Sequence, residues 1–144
     1  MRDDYHRLVG SISPESLTSR TLNTHWSIAE MLTHMIQSIE LIPQEIEAVR
    51  KGKNFLNVPP WVAGKANMLW IKLRALRATQ QSLLDNYDIA FDVAMQAWDA
   101  VRDDEWSKGA NFFGEAYRTL ADNYAIAITH FHEHAEQIRK SLEG

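Results

Sequence analysis

Trp26-Ser27-Ile28-Ala29-Glu30-Met31-Leu32-Thr33-His34-Met35 contains a helix start and the first turns of the helix that follows it. Ser27 and Glu30 have the S-x-x-E spacing of a capping box, in which each side chain satisfies a backbone N–H that the helix itself cannot. Trp26 and Met31 occupy the two positions of a hydrophobic staple. From there apolar residues recur at Ile28, Leu32, Met35, Ile36, Ile39, Ile42, Ile46 and Val49, the spacing of one wide helical face. The pattern predicts a helix over residues 28–50. Pro43 removes one backbone donor inside it, but the apolar face resumes at Ile46, which predicts a bend and not an end. Lys51-Gly52-Lys53-Asn54 stops the helix.

Helical periodicity also dominates the remainder, and strand signals are scarce. Residues 55–64, with Pro59-Pro60, read as a loop. Leu69, Leu73, Leu76, Gln80, Leu83, Tyr87, Phe91, Ala94, Trp98 and Val101 then follow a 4-3 spacing. Unbroken, that region would make a helix of roughly 35 residues, well over the usual length, so a break over residues 75–79 is expected, with Thr79 as the new N-cap. Residues 102–114 are polar and contain glycine, as a connection does. A last helix is expected over residues 115–142, burying Leu120, Tyr124, Ile128, Phe131, Ala135, Ile138 and Leu142. Residues 3–10 allow only a short first helix before Ser13-Pro14-Glu15 opens a turn. The expectation is an all-α chain, a single domain over residues 1–144, folded as an antiparallel bundle with one poorly covered side.

Composition narrows the function classes. A chain of 144 residues buries a sizeable core without staples. Its 15 basic residues against 19 acidic ones give no footprint for nucleic acid and no polybasic membrane patch. With no cysteine there are no disulfides, no thiolate ligands and no cysteine nucleophile, so any reactive sulfur must arrive with a substrate. No signal-peptide pattern opens the chain and no apolar run approaches a membrane span, so a cytoplasmic protein is expected.

The chemistry-bearing residues are histidines. In Thr129-His130-Phe131-His132-Glu133-His134-Ala135-Glu136-Gln137-Ile138, His130 and His134 project roughly 40° apart and about 6 Å along one helix, so both can reach one metal ion. His34 is the third candidate ligand. All three flank the apolar face of their helices, where a groove between two packed helices would hold them; the same placement also suits three unrelated surface histidines. Three protein ligands would leave a coordination position open for chemistry. Ser38 and Glu45 share the flank of His34, and Asn123 and Gln137 that of His130 and His134. Ser38, Asn123 and Gln137 are candidates for orienting the imidazoles or contacting a substrate, and equally for a solvated helix edge. Glu30 would make a general base, but its capping box accounts for it. His132 projects away from its neighbours, His6 and His25 lack partners at ligand spacing, and Glu133 has no clear task. No histidine follows a glutamate by three positions, which excludes a ferritin-like di-iron site, and no His-Glu-x-x-His is present.

Residues 26–35 resemble the W-S-[VI]-x-E-x-L-x-H-[LM] segment of the DinB-like superfamily, and His130-x-x-x-His134-x-x-Gln137-Ile138 is similar to its C-terminal H-x-x-x-H-x-x-Q-[IL]. The resemblance implies an antiparallel four-helix bundle in which His34, His130 and His134 hold one divalent metal ion, zinc or nickel. Relatives include S-transferases and isomerases that use glutathione, mycothiol or bacillithiol, which implies a small-molecule substrate and a low-molecular-weight thiol cosubstrate. The family's first helix is about twice as long as residues 3–10 permit, so either another subunit or residues 55–67 would cover the side left open, and a homodimer is expected. Two function classes follow. One is a metal-dependent enzyme, a thiol S-transferase or a hydrolase. The other is a non-catalytic bundle that binds a ligand or partner and keeps a structural or vestigial metal site.

Overall fold

The computed structural model describes residues 1–22, 25–56, 58–115 and 117–143. Among the described residues six helices follow one another: α1 (Arg2–Gly10), α2 (Ile28–Glu40), α3 (Ile42–Arg50), α4 (Pro60–Ala75), α5 (Gln80–Asp99) and α6 (Leu120–Glu143). A short 3-10 turn, Pro14–Thr18, lies between α1 and α2, and a two-stranded hairpin precedes α6.

The start of α2 is built as its sequence dictates. Ser27 Oγ accepts from the Glu30 N–H at 3.2 Å, and Glu30 Oε2 accepts from the Ser27 N–H at 2.7 Å. The predicted apolar face is buried along its whole length, from Ile28 to Val49. The single bent helix expected over residues 28–50 is instead two helices. The chain ends α2 at Glu40 and restarts at Ile42, with Leu41 still in helical geometry (φ −81°, ψ −20°) and Pro43 in the first turn of α3. Proline there lacks the N–H that would continue the ladder, yet its fixed φ suits a first turn.

α1 packs on α5, where Tyr5 stacks on Tyr87 with ring centroids 3.8 Å apart. Thr79 caps α5, accepting from the Ser82 N–H at 3.1 Å, at the break the 4-3 pattern required. Arg50 at the end of α3 donates to both carboxylate oxygens of buried Glu105, at 3.0 and 3.1 Å, and so ties α3 to the loop beyond α5.

Three further expectations are corrected. First, the segment read as a loop over residues 55–64 turns helical at Pro60. Pro59 and Pro60 open a helix, since a first-turn proline loses no bond, and Gly64 is carried inside α4. Second, residues 102–119 hold a hairpin: β1 (Gly109–Asn111) pairs antiparallel with β2 (Tyr117–Thr119). A Cβ at Gly109 would lie 2.0 Å from the Arg118 carbonyl oxygen, so only glycine lets the strands approach. The hairpin also clips the α3–α4 connection, with the Phe55 N–H donating to Asn111 O and the Phe113 N–H to Phe55 O, both at 2.9 Å. Third, the last helix begins at Leu120 and not at 115, because Thr119 and Asp122 cap each other there. Within α6, Leu120, Phe131, Ala135 and Ile138 are buried as expected, but Tyr124 and Leu142 are exposed. Asn57, in the expected loop, and Ala116, in the expected helix, lie outside the described residues.

α4 departs most from the core pattern. It packs on α2 through Ile71 and through Arg74, which forks onto Glu40 at 2.6 and 2.7 Å, while Leu69, Leu73 and Leu76 face outward. No helix among the described residues is long and apolar enough to cross a membrane.

Candidate metal centre

α2 and α6 pack side by side, and their flanks bring three imidazoles together. His34 sits in the second turn of α2, fixed by the capping box at one end of the helix and by the buried face of Leu32, Met35 and Ile36 beside it. His130 and His134 stand one turn apart on α6, anchored by Phe131, Ala135 and Ile138. His34 Nε2 lies 3.1 Å from His130 Nε2, and His134 Nε2 lies 2.9 Å from the same atom. One ligand nitrogen from each residue falls within 4.8 Å of the others. Tetrahedral zinc with nitrogens at 2.0–2.1 Å spaces them about 3.3 Å apart, close to what the rings already adopt.

Electrostatics favour neutral ligands. Burial, and then the neighbouring His130 and His134, push His34 down to about 3, with Gln37 pulling weakly the other way. Burial and His134 push His130 down to about 4. Both rings therefore keep a lone pair at neutral pH, as metal ligands must. With Nδ1–H donating to Gln137 Oε1 at 3.1 Å, His134 holds its Nε2 lone pair toward the cluster. Among the described residues His34 Nδ1 is buried without a hydrogen-bond partner, and the Trp26 ring lies 4.9 Å away at 60°. The three imidazoles could hold a divalent metal ion.

The other candidate residues are placed less directly. The Ser38 hydroxyl donates to His34 O at 2.9 Å, within its own helix. Asn123, only 8% exposed, donates through Nδ2 to Glu45 Oε2 at 3.4 Å across the α3–α6 contact. Burial raises Glu45 to about 7, and Arg118 draws it back in part. Glu45 and Asn123 thus form a polar pair on the same flanks as the histidines; Asn123 is seven residues before His130, about 10 Å along the axis. Nothing in the sequence showed that Glu45 is a buried acid, although its spacing of eleven from His34 put it on that flank. Glu30 is held in its capping box. His6 pairs with Asp88 at 2.8 Å, far in sequence from the cluster. His132 turns to the other flank of α6, where it joins Phe91, Trp98 and Tyr124 around a cavity of about 380 Å³.

A sequence model of the DinB superfamily matches residues 1–138. Among solved structures, the chain is similar to the crystal structure of a mutant of mycothiol-dependent maleylpyruvate isomerase, with a TM-score of 0.78 and 12% sequence identity. The match covers 95% of this chain and 55% of that one, so this chain spans about half the length of its structural neighbour. At that identity the likeness is one of fold. No curated protein matches the sequence.

Proposed function

This chain belongs to the DinB superfamily, and from that premise we propose that it is a metal-dependent enzyme acting on a small molecule, with a low-molecular-weight thiol as cosubstrate. His34, His130 and His134 would hold one divalent cation, zinc or nickel, on an antiparallel four-helix bundle formed by α1, the α2–α3 arm, α5 and α6. The observation that carries this is the convergence of three imidazole nitrogens from two helices. A cation bound there supplies Lewis acidity and favours the thiolate or hydroxide form of what joins it in the open position.

The chain's own residues divide the remaining work. Gln137 fixes the tautomer of His134, and the Trp26 ring limits water access beside His34. Glu45, titrating near neutrality and paired with Asn123, would hold or release a proton at its carboxyl toward the far end of an extended substrate. The reaction class is thiol S-transfer or thiol-assisted isomerisation, with hydrolysis as the thiol-free variant. The structural neighbour is named for its use of mycothiol, which supports a small thiol here.

The test is turnover of electrophilic substrates with glutathione, mycothiol or bacillithiol, using protein loaded with zinc or nickel. Wild type should consume thiol, and His134→Ala should lose both turnover and metal. Stoichiometric metal retained in His134→Ala would sink the ligand assignment. A second reading, a non-catalytic ligand-binding bundle with a structural metal, is favoured by the apolar cavity on the opposite flank of α6, whose lining includes none of His34, His130 and His134. Its signature would be a large loss of thermal stability on chelation with no thiol consumption by any metal form.

A further inference from the structure

The net charge of −4 conceals an uneven distribution. Between Glu47 and Asp85 the sequence has no acidic residue and seven arginines and lysines, leaving eight basic residues against all 19 acidic ones elsewhere. α4 lies within this basic stretch, and among the described residues only its Ile71 side is covered, by α2. Val62, Leu69, Leu73 and Leu76 form a row directed to solvent, with Leu76 77% exposed. At 100° per residue, Trp61, Lys65 and Lys72 flank that row on one side and Trp70 and Arg77 on the other. Among the described residues Lys72 and Arg77 have no ion-pair partner, while Lys65 sits 5.8 Å above the Trp61 ring. Exposed Leu56 and Val58 extend the apolar surface beyond the helix start.

The row and its flanks decide what can cover it. A second copy pairing through α4 would bring leucine onto leucine, but it would also set Lys65, Lys72 and Arg77 against their counterparts with no carboxylate in the helix to offset them. An anionic lipid surface satisfies both halves. Its headgroups attract the cations, and its acyl boundary takes leucine and the indole rings, which favour that depth. We propose that α4 docks in the plane of an anionic bilayer surface, with Leu69, Leu73, Leu76, Trp61 and Trp70 at the headgroup boundary and Lys65, Lys72 and Arg77 against the phosphates. This departs from the membrane-free expectation drawn from overall charge, because the relevant charge is local. α4 contributes no residue to the histidine cluster, so docking leaves that cluster intact.

Flotation of the untagged full chain with phosphatidylcholine vesicles containing phosphatidylserine, against pure phosphatidylcholine, tests the proposal. Binding should require the anionic lipid and weaken with salt. It should fall about fivefold for each of Lys65, Lys72 and Arg77 replaced by glutamine. Leu69→Glu with Leu73→Glu should abolish it while leaving the circular dichroism spectrum and thermal unfolding unchanged, since both leucines are exposed. No binding to anionic vesicles, or equal binding to both vesicle types, overturns the proposal. So does a concentration-dependent dimer, seen by light scattering, that the double glutamate variant dissolves and anionic vesicles do not compete away; the face would then belong to a second copy.

Discussion

α2 and α4 lie against each other and both carry an apolar 4-3 spacing, yet one is a core element and the other a surface one. In α2 the row Ile28, Leu32, Met35, Ile36 and Ile39 is sealed between the neighbouring helices. In α4 the row Leu69, Leu73 and Leu76 faces out, and the buried contact is made by Ile71 from the opposite side. Periodicity therefore establishes that a helix has an apolar stripe, but not that the stripe points inward. What fixes α2 is its place between other elements, and that is why it can hold His34 where the α6 histidines meet it.

The largest expected contrast is in truncation. Leu32→Ala, at a position with no exposure, should cost about 3 kcal/mol of stability through lost burial and a residual cavity. Leu73→Ala should cost no more than about 0.5 kcal/mol. Denaturant unfolding of the two variants measures this, and equal losses would mean that the α4 row is covered in solution.

Titration separates the two helices next, because the α2–α3 arm carries His34 and Glu45 whereas the ionisable side chains of α4 are all basic. The folded His34 titrates near 3 and its ordinary value is 6.5, so the unfolded chain binds more protons between these values. In metal-free protein that contribution is complete above pH 6.5 and lost as pH falls toward 3. Glu45 acts in the opposite sense. Its carboxyl is raised from 4.5 to about 7, so its contribution is complete below pH 4.5 and lost as pH rises through 7. Glu45→Gln should stabilise the protein at alkaline pH by on the order of 1 to 2 kcal/mol and change little in acid. His34→Gln should flatten the acid limb of the same stability profile. A Glu45→Gln gain that is equal at all pH values would remove the buried-acid account.

The smallest effect concerns helix starts. Ser27→Ala should cost about 1 kcal/mol by deleting the α2 capping box. Among the described residues α4 has no side-chain cap to lose. Thermal unfolding with Ser27→Thr as the conservative control resolves this step.

Much of this was legible from the chain because it rests on local rules. The Ser27–Glu30 box, the Thr79 restart and the i, i+4 spacing of His130 and His134 each depend on a few neighbouring residues. The Gln137 contact to His134 is equally local. Other features depend on partners far along the chain. Strands of three residues carry no usable alternation, so the hairpin is decided by Gly109 fitting against Arg118. Pro59-Pro60 looks like a loop by composition but opens α4. Ser38 and Asn123 are short polar side chains whose choice among helix carbonyl, carboxylate and imidazole is set by distances of an ångström or two. The outward turn of Leu69, Leu73 and Leu76 needs knowledge of which side α2 occupies.

The most direct test of the metal centre is elemental analysis of the untagged protein beside the His130→Ala, His134→Ala double variant, each after incubation with zinc or nickel and removal of excess ion. The structure predicts about one equivalent of metal in the wild type and none in the variant, since a lone His34 leaves one ligand where three converge. Metal absent from both, or retained equally by both, would contradict the three-histidine site.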